Sequence, residues 1–305
     1  MITLSSEQGL TSVDNWEDIE SRPGFVTDLN PSKHHLDSII GRYTFKDKIR
    51  CGLSNCHTPH AKGYIVTTKE GLSTRIGKDC GKKYFGVDFE IMSKKFDRDI
   101  TAAKNRSHLY SFSLQVDKIE RVLSDLRQRT RGANWVYNKT RPLISSTNNC
   151  PEVIVRRIAT MVKNGTNILT IEREATSSEV ETMEAMQGRN IPRPHIISEP
   201  IAEIVGLQAL YIENDLRALL VLDLETKLGA FKGKDADSMT YEELRHWTKW
   251  ADTVENTLEK AANAVSLGGD LLTQNNLNPF SRILTKREDI ALFNTYLRGL
   301  AFADS

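Results

Sequence analysis

Between Arg50 and Gly86 the chain reads RCGLSNCHTPHAKGYIVTTKEGLSTRIGKDCGKKYFG, placing three of its four cysteines and two of its seven histidines in one stretch. With Cys51, Cys56, His60 and Cys80 as ligands the spacing is C-x4-C-x3-H-x19-C. Soft thiolates plus one imidazole in a four-coordinate set are what a structural zinc ion takes. His57 is the alternative to His60, with His34 and His35 as outside candidates. A closed set of four protein ligands leaves no position for an activated water, so Zn(2+) is expected to be structural, and binding it to be part of folding. The competing account makes the cysteines buried thiols and the histidines surface residues.

The residues between the ligands suit a small module. Gly52, Ser54 and Asn55 make a tight knuckle between Cys51 and Cys56. Tyr64 to Thr68 is aromatic and β-branched, Lys69-Glu70-Gly71 is a turn, and Leu72 to Ile76 returns as a second strand. Cys80 follows Gly77 and opens a short helix, Gly81 to Phe85. Knuckle, hairpin and a ligand at a helix start resemble the treble-clef class of zinc modules. The resemblance covers about an eighth of the chain. It departs from that pattern in having one cysteine, not a C-x-x-C pair, at the helix start.

The net charge of +1 hides a segregation. Residues 41–145 carry 22 Lys and Arg against 10 Asp and Glu, whereas residues 1–40 carry 2 against 7 and residues 146–305 carry 17 against 23. A basic middle between acidic ends implies an anionic partner or one segment neutralising another. The candidates for phosphate contact are Arg75, Lys78, Lys82, Lys83, Lys94, Lys95 and Arg98. Arg127, Arg129 and Arg131 follow, with Trp135 and Tyr137 after them. Basic residues interleaved with aromatics hold phosphates and stack bases.

The fold class expected is mainly α with a small α+β zinc module, a long coiled-coil-like central helix and a C-terminal helical domain. The divisions are an acidic N-terminal arm (1–40), the module (41–88), a long basic helix and connector (89–145) and the helical domain (146–305). Leu109, Phe112, Val116, Ile119, Leu123 and Leu126 step by three and four, close to a heptad seam. An unbroken helix from Phe89 to Arg129 would span about 60 Å. Its stripe from 109 to 126 is offered either to the chain's own helices or to a homodimer. Arg141 to Asn149 is turn-rich and reads as a boundary. Asn167 to Ile171 reads as a strand, Ser177 or Ser178 with Glu181 as a capping box, and Ile201 to Leu222 as a helix. Thr240 with Glu243 boxes another helix, ended by Gly268-Gly269, and a last helix begins at Thr285. Trp16 covers a core edge or forms an acidic-aromatic docking element.

Four cysteines with three clustered argue for a reducing compartment, and the first twenty residues lack a secretory pattern. No apolar run approaches ~18 residues, so no membrane span is expected, and the location expected is cytoplasmic. Catalytic templates fail. Gly71 to Asp79 approximates a phosphate loop but has one residue too many between its glycines, and Asp79 where Ser or Thr belongs. Cys150, at a helix start, is expected to be a structural thiol. The expectation is a non-enzymatic zinc-containing protein that contacts nucleic acid. A protein-binding adaptor or inhibitor acting on an acidic surface of a host complex, of viral or mobile-element origin such as a phage, is the alternative. A metal-dependent nuclease is a lesser one.

Overall fold

The computed structural model describes residues 1–6, 9–145 and 149–301. These fall into two compact units: residues 1–111 with 235–248, and residues 112–234 with 249–305.

The first unit is built on a five-stranded antiparallel sheet in the order β2-β1-β3-β4-β5. Its strands are β1 (Ile2–Ser6), β2 (Gly9–Val13), β3 (Leu36–Arg50), β4 (Pro59–Thr68) and β5 (Ser73–Gly77). The N-terminal forty residues therefore supply two strands and the start of a third, which their weak periodicity did not suggest. Period-two alternation along β4 divides the core. Tyr64 and Val66 join Leu53, Ile76, Phe89, Phe96 and Ile100 on one face. Ile65 joins Ile2, Leu4, Ile19 and Tyr43 on the other. Trp16 edges that second cluster, 5.2 Å from the Tyr43 ring and 5.4 Å from that of Phe45. It is a core edge, preceding the single turn α1 (Glu17–Glu20).

Helix α2 runs Lys78–Ser113 with one break at Gly86, whose φ of 60° and ψ of −138° lie outside the helical region. Glycine adopts that conformation without Cβ strain, so the short helix opened by Cys80 and the long one after it share an element. Phe89, beyond the break, lies against Gly81, where a Cβ would come within 2.3 Å of the ring. The long helix does not continue unbroken to Arg129. It stops at Ser113, and α3 (Val116–Gln128) starts afresh. The Gln115 N–H closes onto Phe112 O at 2.9 Å, and Gln115 O receives the N–H groups of Lys118 and Ile119. No Pro or Gly marks this turn. Packing causes it: Val116, Leu123 and Leu126 are buried while Leu114, in the turn, is exposed. The apolar stripe is thus covered within one chain, with Phe112 edge-on to Phe231 and Trp250.

The second unit contains α3, α4 (Ala133–Ile144), α5 (Glu152–Asn164) and α6 (Ser177–Gln187). It also contains a two-stranded sheet, β6 (Ile168–Glu174) with β7 (Ile196–Glu203). Of the expected boundary at 141–149, residues 146–148 lie outside the described residues. The helix expected over 201–222 is corrected. Its first part is strand β7, where alternation of Ile196-Ile197-Ser198-Glu199-Pro200 against β6 prevails. Pro200 pairs at a register irregularity, where a missing N–H costs least. Its last part, Arg217–Glu225, is a nine-residue π-helix continuing into α7 (Thr226–Lys232). The capping box of α6 is Thr176 with Glu179, not the serines that follow.

Helix α8 (Tyr241–Leu271) begins in the first unit, with Thr240 and Glu243 bonding as expected, and ends in the second. It passes through Gly268 and Gly269. A Cβ on Gly268 would meet Val136 at 2.2 Å, so this glycine allows α4 to approach closely and does not end the helix. α9 (Gln274–Leu277) and α10 (Arg287–Ala301) follow. Among the described residues no helix is long and apolar enough to cross a membrane.

Candidate metal centre

The Sγ atoms of Cys51, Cys56 and Cys80 lie within 4.8 Å of one another. Three elements bring them together. Cys51 follows β3, and its N–H donates to Thr58 O at 3.1 Å. Cys56 closes the knuckle, its N–H donating to Leu53 O at 3.1 Å, while the Gly52 N–H donates to Arg75 O on β5 at 2.8 Å. Cys80 stands in the first turn of α2, and Tyr84, one turn later, donates its hydroxyl to Asn55 O at 3.1 Å. Knuckle and helix start are thereby fixed to each other independently of the sulfurs.

The thiols titrate apart. Burial would raise Cys56, but hydrogen bonds with the Thr58 side chain and backbone and with the other two cysteines bring it down to about 7. Burial, the hydrogen bond with Cys56 (Sγ–Sγ 3.2 Å) and the charges of both neighbours push Cys80 up to about 12. Burial also raises Cys51. Three sulfurs this close cannot all ionise without a cation among them. A divalent metal would supply that charge, and the set of soft donors fits such an ion.

His60 is not in the group. Its Nδ1 lies 3.0 Å from Thr58 O and its Nε2 2.5 Å from the Tyr43 hydroxyl. Burial lowers its pKa, so the ring is neutral, donating from Nδ1 and accepting at Nε2. His57 also stands apart, with Nδ1 3.3 Å from Cys51 O and Nε2 3.5 Å from Asp28. His34 pairs with Glu70 at 3.4 Å. Tyr43 is a partner that no sequence spacing announced; it lies on β3, beside β4, which carries His60.

The basic candidates divide. Arg75 is taken up inside the unit: Nε donates to Arg50 O at 2.8 Å, the guanidinium pairs with Glu20, and its carbon lies 5.9 Å over the Trp16 ring. Lys82 pairs with Glu90 at 2.6 Å. That carboxyl is held below its ordinary value by the Lys82 hydrogen bond, with Lys94 and Lys78 adding to the effect. Arg98 stacks 4.5 Å over the Tyr241 ring. Lys78, Lys83, Lys94 and Lys95 are exposed. Lys94 and Lys95 share the outer side of α2 with exposed Val87 and Ile91, opposite buried Phe89, Phe96 and Ile100.

The chain matches no protein-family model, no curated protein and no solved structure.

Proposed function

We propose that Cys51, Cys56 and Cys80 hold a structural zinc ion in a treble-clef-like module, and that the outer face of α2 rooted in this module binds nucleic acid. The observation that carries the reading is the cluster of exposed lysines on α2, where Asp79, Asp88 and Asp99 are exposed as well. Lys78, Lys83, Lys94 and Lys95 stand exposed on one helix whose first turn supplies a thiol, with Glu90 already engaged by Lys82. Such a face neutralises phosphates without requiring a particular sequence. The fourth metal ligand is whichever histidine has less to release. His57 gives up two long contacts, whereas His60 must leave Tyr43.

A second reading rests on Val87 and Ile91, 68% and 60% exposed beside the same lysines. Exposed apolar side chains with lysines beside them suit an acidic protein surface better than a phosphate backbone.

Gel-shift titrations on duplex and single strands, DNA and RNA, at about 50 and 200 mM salt test the proposal. If Z phosphates are contacted, log K falls against log[salt] with a slope near −0.9Z on duplex. Changing Lys78, Lys83, Lys94 and Lys95 to Glu removes that binding with metal content unchanged. No binding at low salt, with retention of an acidic protein partner that the same variant loses, selects the second reading.

A further inference from the structure

A row of clefts follows α4 in the second unit. Arg127, Arg129, Arg131 and Trp135 line the first, of about 430 Å³. Arg127, Asn134, Tyr137 and Arg217 line the next, of about 330 Å³. Tyr137, Arg141 and Tyr211 line the last, of about 660 Å³. Arg127 and Asn134 are common to the first two, and Tyr137 to the last two, so the three are one continuous groove. Asn134, Tyr137 and Arg141 recur at steps of three and four, one face of the helix. The adjoining face, Ala133, Val136, Thr140 and Leu143, is buried, and Ala133, Val136 and Thr140 also border the clefts.

Five arginines line this groove, together with the rings of Trp135, Tyr137 and Tyr211. The Arg131 guanidinium lies 5.4 Å from the Trp135 ring centre and that of Arg141 5.7 Å from Tyr137. The indole Nε1 of Trp135 is buried with no acceptor among the described residues. The acidic residues present are largely engaged. Glu225 pairs with Arg127 at 2.6 Å, and Asp215 accepts from the backbone N–H groups of Arg217 and Ala218. Glu213 remains at the far end.

We propose that this groove binds a single-stranded polynucleotide, its phosphates on the arginines and its bases against Tyr137, Trp135 and Tyr211. Guanidinium groups meet phosphate oxygens in paired hydrogen bonds, and aromatic faces accept any base. An acidic peptide would use the arginines but leave the rings without a role. The twelve residues of α4 extend about 18 Å, room for about five nucleotides at 3.4 Å each. The inference deepens the nucleic-acid reading by naming strand type, but it uses other residues than α2, so the two fail separately.

The test is fluorescence anisotropy of a labelled ten-residue oligothymidylate with the full chain at about 50 mM salt, with inorganic phosphate and polyglutamate as competitors. The expected result is saturable binding that Arg129→Glu with Arg141→Glu weakens at least about tenfold. Tyr137→Leu weakens it by about as much, the range reported for losing one stacked base. The salt slope should fall by about 0.7 for each phosphate contact removed. Lys94→Glu with Lys95→Glu should leave it within about twofold. Arg129→Gln, at an exposed site, serves if the double variant does not fold, and is expected to weaken binding measurably. Equal affinity in wild type and all groove variants overturns the proposal, as does displacement by polyglutamate at the concentration that oligothymidylate itself requires. Displacement by millimolar inorganic phosphate alone reduces the site to a phosphate pocket and also overturns it.

Discussion

The thiol cluster and the α4 groove are built in opposite ways. The cluster draws its three sulfurs from thirty residues of chain, two from a knuckle and one from the helix after a hairpin. The groove draws arginines and rings from α4 and its approach, and closes them with residues 209 to 221, about seventy positions later. In the first, local chain geometry suffices to bring the chemistry together, and a soft cation would relieve the repulsion between ionised thiols. In the second, the chemistry is assembled only when helices pack. On the proposed zinc reading, the first unit would draw stability from an ion as well as from its two apolar clusters, and the second from its core alone.

The largest expected effect breaks the first site alone. Cys80→Ser should lower zinc from close to one equivalent to below a tenth by elemental analysis. It should also melt the sheet unit while the helical signal of the second unit, residues 112–234 with 249–305, persists. Structural zinc contributes about 10–16 kcal/mol in isolated fingers at neutral pH, enough to decide whether this unit folds. A cleanly purified wild-type chain that is folded without metal would sink the site.

Val116→Asp is the reciprocal test in the second unit. Val116 is 4% exposed, so an unpaired carboxylate there should cost about 2–5 kcal/mol in denaturant unfolding, with zinc content unchanged. A conversion from dimer to monomer in sedimentation, with stability retained, would instead assign the 109–126 stripe to a homodimer.

Acidification should sharpen the contrast next. Metal uptake requires all three thiols to lose protons. Above about pH 7 Cys56 has lost its own, leaving two to displace, so affinity should fall about a hundredfold per pH unit as pH drops. Below 7 the third proton steepens the fall. Chelator competition at pH 6 and 8 reads this, and a pH-independent affinity contradicts thiolate ligation. The smallest effect concerns the histidines: His57→Ala should weaken metal binding about tenfold, and His60→Ala should lower stability with little change in affinity. The reverse order would make His60 the ligand.

What could be read in the sequence follows the same division. The three cysteines, the hairpin between them and the helix after Cys80 all rest on short-range signals: spacing, β-branched alternation and a glycine turn. The hydrogen bond between His60 and Tyr43 could not be read from spacing, because it depends on β3 lying beside β4. The arm 1–40 hid two strands because β1 and β2 are short and completed only by pairing with a distant strand. The turn at Leu114-Gln115 has no breaker residue; only the burial of Val116, Leu123 and Leu126 reveals it. Arg127 to Tyr137 was visible as an aromatic-basic run, but Tyr211 and Arg217, expected within a helix, could not be placed opposite it. The contacts of Arg75 with Glu20 and Trp16 were not legible either, since charge alone does not say which way a side chain is used.

The position of Cys80 in the first turn of α2 has an electrostatic consequence. On the zinc reading, a divalent ion on three thiolates and a neutral fourth ligand would leave one net negative charge. That charge would sit where the aligned peptide groups of the helix present their positive pole. The macrodipole and the metal–thiolate group would stabilise one another, by about 0.3–1 kcal/mol at a surface site and more where solvent is excluded. Cys80→His would preserve a ligand but leave the group neutral, so the helix start would lose its counter-charge even with the ion bound. On that reading Cys80 would also be the electrical cap of α2.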